Sequence, residues 1–370
     1  MDGDRHRTAA RPEVRALRPY RLGQPQFRAK LNQNESPYDW PEELKEEVLR
    51  RLRSSPWNRY PAVDAAPLRQ ALAEAMGVSS EMVAVTNGSN EAILALIQTY
   101  ATGRGVTYPV PTYSMVYPLA VVGGANPVEV PLRPDFSLDA VALLSTAVDT
   151  GARLVFLASP NNPTGNTFER EAILQVVEGF PGVVMVDEAY FSFARASLLE
   201  EVHHRENLAV IRTFSKAFSL AGARVGWITA HPQIIAEVSR ALPPYNLDLF
   251  AQTAAMVALE HRHLLEERAR VILQERDRVY TAMSRIDGVH PYPSEANFIL
   301  FRTHLPARDV YSRLLERGVL VRDVSSYPML EGCLRVTIGT SEENDLFLEA
   351  LEESLERLTE LDRPGKNSCC

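Results

Sequence analysis

The stretch TFSKAFSLAGARVGW, residues 213–227, places a lysine in a chain that has 4 lysines against 35 arginines. Lys30 and Lys45 lie near one end and Lys366 near the other, so Lys216 stands alone between residues 46 and 365. Arginine, which the chain prefers, could supply a positive charge. It cannot supply a primary amine that loses its proton and attacks a carbonyl. A lysine that is partly desolvated or set beside other cations has a lowered pKa, and its free amine can form a Schiff base. The alternative is a surface lysine that merely ends a strand, against which the scarcity of lysine elsewhere argues.

Other groups could act with it. In VDEAY (186–190), Asp187 follows an apolar run. A carboxylate at the mouth of a buried strand is costly unless an arginine, a helix N-terminus or a protonated ring nitrogen pairs with it. In NGSNE (87–91), Ser89 and Asn90 stand where a helix begins, after Gly88. Free N–H groups and the helix dipole make an anion site there, although a plain helix cap reads the same way. SPNNPTG (159–165) serves turn chemistry and also offers the Asn162 amide to a ligand. Thr213, Ser215 and Arg224 flank Lys216; hydroxyls with an arginine suit a phosphate, and an ion pair is the simpler use of Arg224. Asn162 and Tyr190 could hydrogen-bond a ring hydroxyl, and Tyr113 could cover a ring face. An amine for an imine, an aspartate for a ring nitrogen and a phosphate site are together what pyridoxal 5'-phosphate needs, with the aspartate making the ring an electron sink.

These clusters need elements to hold them at one place. From about residue 60 to 240, short apolar runs alternate with helical stretches: MVAV (82–85), RLVFLA (153–158), GVVMV (182–186) and NLAVIRTF (207–214) each end in a polar cluster. Strands with little polar alternation belong to a mostly parallel sheet covered by helices, and ligands of such sheets sit at the carboxyl ends of the strands. The fold class is therefore α/β. From 255 to 362 the pattern changes to a long Arg/Glu-rich helix (252–285), the strands ANFILFR, VLVRDV and CLRVTIGT, and two more helices. Thr340 and Glu343 have capping-box spacing before the last of these. The expected organisation is an N-terminal arm (1–35) packing on the small domain, a large cofactor-binding domain (36–255), a smaller α+β domain (256–362) and a mobile tail (363–370).

A chain of 370 residues is too long for one ordinary core. The net charge of −8 and the lack of a basic stretch beyond the Arg-rich arm argue against a nucleic-acid surface. No apolar run approaches the ~18 residues of a membrane span. MDGDRHRTAA has no hydrophobic signal core, so a cytoplasmic protein is expected. Cys333, Cys369 and Cys370 form neither a disulfide framework nor a metal spacing, so no structural metal is expected.

From about residue 15 to 360 the sequence resembles the fold-type-I pyridoxal-phosphate-dependent aminotransferases, most closely their histidinol-phosphate group. The resemblance is carried by LNQNESPY (31–38), RYP (59–61), NGSNE, PTYSMVY (111–117), SPNNPTG, VDEAY, RTFSKAFSLAGARVGW (212–227), ANF (296–298) and LRVTIGT (334–340). It implies that Lys216 holds the cofactor and shuttles the substrate's α-proton, that Asp187 faces the pyridine nitrogen, and that Asn162 and Tyr190 contact the ring hydroxyl. Tyr113 would stack on the ring, and Ser89, Asn90, Ser215, Arg224 and Thr213 would hold the phosphate. Tyr60 would reach the cofactor of a neighbouring subunit, making a homodimer with shared active sites. Arg335 would bind a donor carboxylate or a substrate phosphate, with Asn34, Arg322 and Tyr20 also on the substrate side. The sequence departs from the family pattern at Ser36 and Asp39, at Ser219 in KAFSLAG, and in SSYPMLEGCLRV (325–336). The implied reaction is transamination of L-histidinol phosphate with 2-oxoglutarate. An aromatic amino acid aminotransferase and a threonine-phosphate decarboxylase stay open beside it. The intact Lys216, Asp187 and Arg335 argue against a regulator that only binds the cofactor.

Overall fold

The computed structural model describes residues 10–19 and 26–361. Strands are numbered β1 (Ala29–Lys30), β2 (Val83–Thr86), β3 (Gly105–Val110), β4 (Asn126–Pro131), β5 (Ala152–Ala158), β6 (Val183–Asp187), β7 (Leu208–Thr213), β8 (Gly226–Ala230), β9 (Val289–Pro291), β10 (Phe298–Thr303), β11 (Val319–Leu320), β12 (Arg322–Asp323) and β13 (Cys333–Thr337). β2 to β8 form a seven-stranded sheet in the order β2-β8-β7-β6-β5-β3-β4. β8 runs antiparallel to both its neighbours, and the other pairings are parallel. The mostly parallel sheet expected from the apolar runs is therefore present. β5, β6 and β7 are buried almost throughout, because helices cover both faces. β3, β4 and β8 are not legible as apolar runs. β3 and β4 contain prolines, and β4 is an exposed edge strand, where proline is tolerated.

Two further sheets follow. β12-β13-β10-β9 is antiparallel, and β1 pairs in parallel with β11. VLVRDV is thus two short strands that serve different sheets. The long helix expected over 252–285 is two helices, Leu249–Glu260 and Arg262–Met283, interrupted at His261. Ahead of the last helix, Ser341–Leu361, Thr340 N donates to Glu343 Oε2 (2.9 Å) and Glu343 N to Thr340 Oγ1 (3.2 Å), the reciprocal capping box. The arm serves both parts of the fold. Arg11 Nη2 donates to the carbonyl of Val122 (2.7 Å) at the end of the Val116–Val122 helix, while β1 joins β11. None of the described helices is long and apolar enough to cross a membrane.

Candidate active site

The carboxyl ends of β2, β5, β6 and β7 open on one cavity of about 290 Å³. Lys216, Asp187, Tyr190, Ser89, Asn90, Tyr113, Asn162, Thr213, Ser215, Arg224, Asn34, Arg322 and Arg335 all line it. Tyr60, expected at a neighbouring subunit's site, does not line its own chain's cavity. It is 80% exposed and stacks on Tyr245, with ring centroids 4.4 Å apart, and Tyr20 lies outside the described residues, as do Cys369 and Cys370.

The local fold explains each position. β7 ends at Thr213 and the chain returns antiparallel as β8, closed by Phe214 N donating to the Val225 carbonyl (2.9 Å). The intervening loop puts Lys216 and Arg224 at the same sheet edge. Thr213 Oγ1 donates to Ser215 Oγ (2.9 Å), and Arg224 Nη1 donates to the same Ser215 Oγ (3.1 Å). The next strand over, β2, feeds the helix Gly88–Tyr100, whose first N–H groups have no acceptor within the helix. Gly88 has φ +73°, and a Cβ there would lie 2.3 Å from Arg224 Nη2. A Cβ on Gly226 would meet Ser89 N at 2.7 Å. The two glycines let the helix start, the guanidinium and the Ser215 hydroxyl converge, and that donor set fits a phosphate.

Asp187, the last residue of β6, is 5% exposed. Its Oδ1 accepts from Ala189 N (3.0 Å). Burial pushes its carboxyl up to about 7, against the pull of that hydrogen bond and of Lys216. Burial also brings the Lys216 ammonium down to about 8, helped by the positive charges of Arg335 and Arg224. Lys216 Nζ donates to the Gln33 carbonyl at 3.0 Å. Tyr190 is pushed up to about 12 by burial, and its Oη accepts from Asn34 Nδ2 at 2.8 Å. Asn34, at φ +54°, is also clasped by Thr337, which donates from Oγ1 to Asn34 Oδ1 (3.0 Å).

The two asparagines of SPNNPTG divide their work. Asn161 is buried and spent on the turn, accepting from Thr112 Oγ1 (2.8 Å) and donating to Pro111 O (2.9 Å) and Thr164 Oγ1 (2.8 Å). Asn162 faces the cavity and accepts from Arg335 Nη1. Arg335 Nη2 donates to the Asn32 carbonyl (2.8 Å). Arg335 on β13 stands directly opposite Arg322 on β12. Like charges in that register repel, and both line the cavity, an arrangement suited to an anionic ligand.

Sequence reasoning missed three features. The Asn32 and Gln33 backbone carbonyls that hold Arg335 and Lys216 leave no side-chain signal. Tyr327, which lines the cavity, sits in the stretch that departs from the family pattern. Glu188 and Arg212 form a buried pair behind the site, Arg212 Nη2 donating to Glu188 Oε2 at 2.9 Å, with Ser197 and Leu198 N closing the remaining acceptors. Their signal was available, since each is a charged residue inside or just after an apolar strand.

The family profile described as aminotransferase class I and II matches residues 29–351. The chain belongs to the class I and II aminotransferases. This aminotransferase is 46% identical to a histidinol-phosphate aminotransferase of Thermococcus kodakarensis over 343 residues, 93% of this chain and 97% of the relative. It is 40% identical to one of Pyrococcus furiosus over 93% of this chain and 97% of the relative. The fold is that of the histidinol-phosphate aminotransferase of Sinorhizobium meliloti, solved with pyridoxal 5'-phosphate (TM-score 0.85, 24% identity, 96% and 99% of the two chains). An L-threonine-O-3-phosphate decarboxylase of Porphyromonas gingivalis shares the aminotransferase's fold at TM-score 0.77 and 26% identity, over 89% of this chain and 99% of that one.

Proposed function

We propose that this aminotransferase uses pyridoxal 5'-phosphate to interconvert L-histidinol phosphate and imidazole acetol phosphate, with glutamate and 2-oxoglutarate as the other pair. The observation that carries the reading is the opposed Arg322 and Arg335 beside Lys216 and Asp187, a site for an anionic substrate next to an amine and a buried carboxylate. The relatives named for this activity support it. When bound, pyridoxal 5'-phosphate supplies a carbonyl carbon that takes up the amino group and a cationic ring that accepts the electrons released at the substrate's α-carbon.

The residues fit that group. Gly88 leaves room for Arg224 over the helix start, and Asp187 is a buried carboxylate lacking a cationic hydrogen-bond donor among the described residues. Ser89, Asn90, Ser215 and Arg224 bind the phosphate, and Thr213 orients the Ser215 hydroxyl. Asp187 would accept a hydrogen bond from the protonated ring nitrogen and so keep the ring cationic. Tyr113, whose Oη donates to Asn90 Oδ1 (2.9 Å), would cover a face of the ring. Asn162 and Tyr190 take the ring hydroxyl. Lys216 Nζ would carry the cofactor in the resting enzyme. Freed as a neutral amine, Lys216 would be placed to take the substrate's α-proton as a base and to give it back later as an acid. Arg335 and Arg322 grip the substrate anion, with Asn34 positioning Tyr190 and Tyr20 as a further substrate contact. Residues 36–255 hold the cofactor and 256–362 carry the arginines, and two copies pair so that Tyr60 completes the partner's site.

The test is steady-state transamination with 2-oxoglutarate as acceptor. The reading expects kcat/KM for L-histidinol phosphate at least about tenfold above that for L-phenylalanine, the scale a few pocket contacts provide. The reverse preference would make the protein an aromatic aminotransferase, and carbon dioxide release from L-threonine phosphate would make it a decarboxylase.

A further inference from the structure

We infer that Tyr327 is a specificity-determining residue, whose phenol donates to the third oxygen of a substrate phosphate held between Arg322 and Arg335. The inference rests on the aminotransferase reading above and deepens it.

Tyr327 sits at the tip of the connection between β12 and β13, the two strands that carry the arginines. That connection is pinned along its length. Ser325 N donates to Asp323 Oδ1 (2.9 Å), Tyr327 N to Val324 O (3.0 Å), Leu330 N to Tyr327 O (3.2 Å) and Cys333 N to Leu330 O (2.9 Å). Val324 and Leu330 are buried in the same apolar cluster as Cys333 and Leu300, which anchors both ends of the loop. Tyr327 is half-buried, and with Tyr113 and Ser114 it lines both the main cavity and a second one, which Tyr108, Tyr117 and Glu129 also line. The three therefore form the wall between the two cavities. The Tyr327 hydroxyl makes no hydrogen bond to the described residues. The Tyr113 hydroxyl, across the wall, is committed to Asn90.

The chemistry of the anion gives the hydroxyl its use. A carboxylate presents two oxygens and one charge, which two guanidinium groups can serve. A phosphate ester presents three terminal oxygens and up to two charges, and the third oxygen needs another donor or stays poorly satisfied. A phenol on the pinned loop that joins the two arginine strands supplies that donor with little backbone ordering left to do. It is neutral, so a carboxylate substrate does not depend on it. This also gives a physical role to SSYPMLEG, the stretch where the sequence leaves the family pattern.

The experiment uses Tyr327→Phe, which keeps the ring and its packing, in the cofactor-loaded enzyme. The selectivity ratio, kcat/KM for L-histidinol phosphate over kcat/KM for L-glutamate, falls about tenfold, with the change in KM. In parallel, inhibition of the glutamate reaction by inorganic phosphate weakens about tenfold relative to inhibition by acetate. Either discrimination staying within about twofold of the parent enzyme overturns the assignment. If the parent enzyme does not use L-histidinol phosphate, the functional reading fails, and the phosphate-to-acetate ratio alone decides Tyr327.

Discussion

At the residue scale, the account turns on two buried groups with opposite needs. Lys216 must be neutral to act, and burial with two neighbouring arginines brings it to about 8. Lys216→Ala should therefore lower steady-state turnover by at least about 10⁴-fold, because it removes both the covalent anchor and the base. Circular dichroism should show the fold retained. In the cofactor-free protein, covalent capture of pyridoxal 5'-phosphate should rise with pH through about 8, as the amine loses its proton. Arg335→Gln removes a like charge, raises the Lys216 pKa and moves that midpoint upward. Asp187 behaves in the opposite sense. Its folded pKa of about 7 lies above the ordinary carboxylate value, so without cofactor its ionisation opposes folding, fully above pH 7 and not at all below the unfolded pKa. Asp187→Asn should raise the melting temperature of the cofactor-free protein at pH 8, with the gain fading toward pH 4. In the loaded enzyme the same change should slow proton removal roughly 10²–10³-fold, the scale of losing one preorganised electrostatic partner. A cofactor-free variant no more stable than the parent at pH 8 would contradict the burial account. Lys216 was legible in the sequence because lysine is so scarce, and Asp187 because it ends an apolar strand. The Gln33 and Asn32 carbonyls were not, since a backbone acceptor carries no residue type to read.

At the scale of elements, the site depends on strand ends brought to one edge. β5, β6 and β7 could be read from unbroken apolar runs, and the polar cluster after each marked the edge that carries the chemistry. β8 could not, because GWITA continues the lysine motif and its antiparallel return depends on its tertiary pairing with β7 on one side and β2 on the other. VLVRDV reads as one strand. The structure splits it because β11 answers to the N-terminal arm and β12 to β13. The buried Glu188–Arg212 pair fixes the ends of β6 and β7 against each other, just behind Asp187 and Thr213. Glu188→Ala leaves Arg212 buried and unpaired and should destabilise the protein by about 3–5 kcal/mol in denaturant unfolding. A loss below about 1 kcal/mol, as for a surface pair, would show that the two strand ends are held by other means.

At the scale of the whole molecule, Tyr60 lies on the surface, away from the cavity of its own chain. Trp57, Tyr60, Tyr245 and Phe250 form an exposed aromatic surface, paired as Tyr60 on Tyr245 and Trp57 against Phe250. That surface accords with the proposed dimer, in which Tyr60 serves the neighbouring site. Lys216→Ala and Tyr60→Ala, each impaired alone, should recover activity when unfolded and refolded together. A mixed dimer then holds one site with both residues intact, so recovery should reach about a quarter of the parent activity for random pairing. No recovery, with dimers seen in sedimentation, would place Tyr60 in its own chain's chemistry or outside it. This level was the least legible in composition and periodicity, because an exposed tyrosine in one chain reads as ordinary surface until a second copy is considered.

The most direct test of the central claim is a single half-reaction. The protein loaded with pyridoxal 5'-phosphate is mixed with L-histidinol phosphate, L-phenylalanine or L-threonine phosphate, without an oxo acid, and the visible absorbance of the lysine-bound cofactor is followed. The account predicts rapid loss of that absorbance with L-histidinol phosphate, well ahead of the other two, and formation of pyridoxamine phosphate. Faster loss with L-phenylalanine, or no lysine-bound cofactor absorbance at the start, would contradict it.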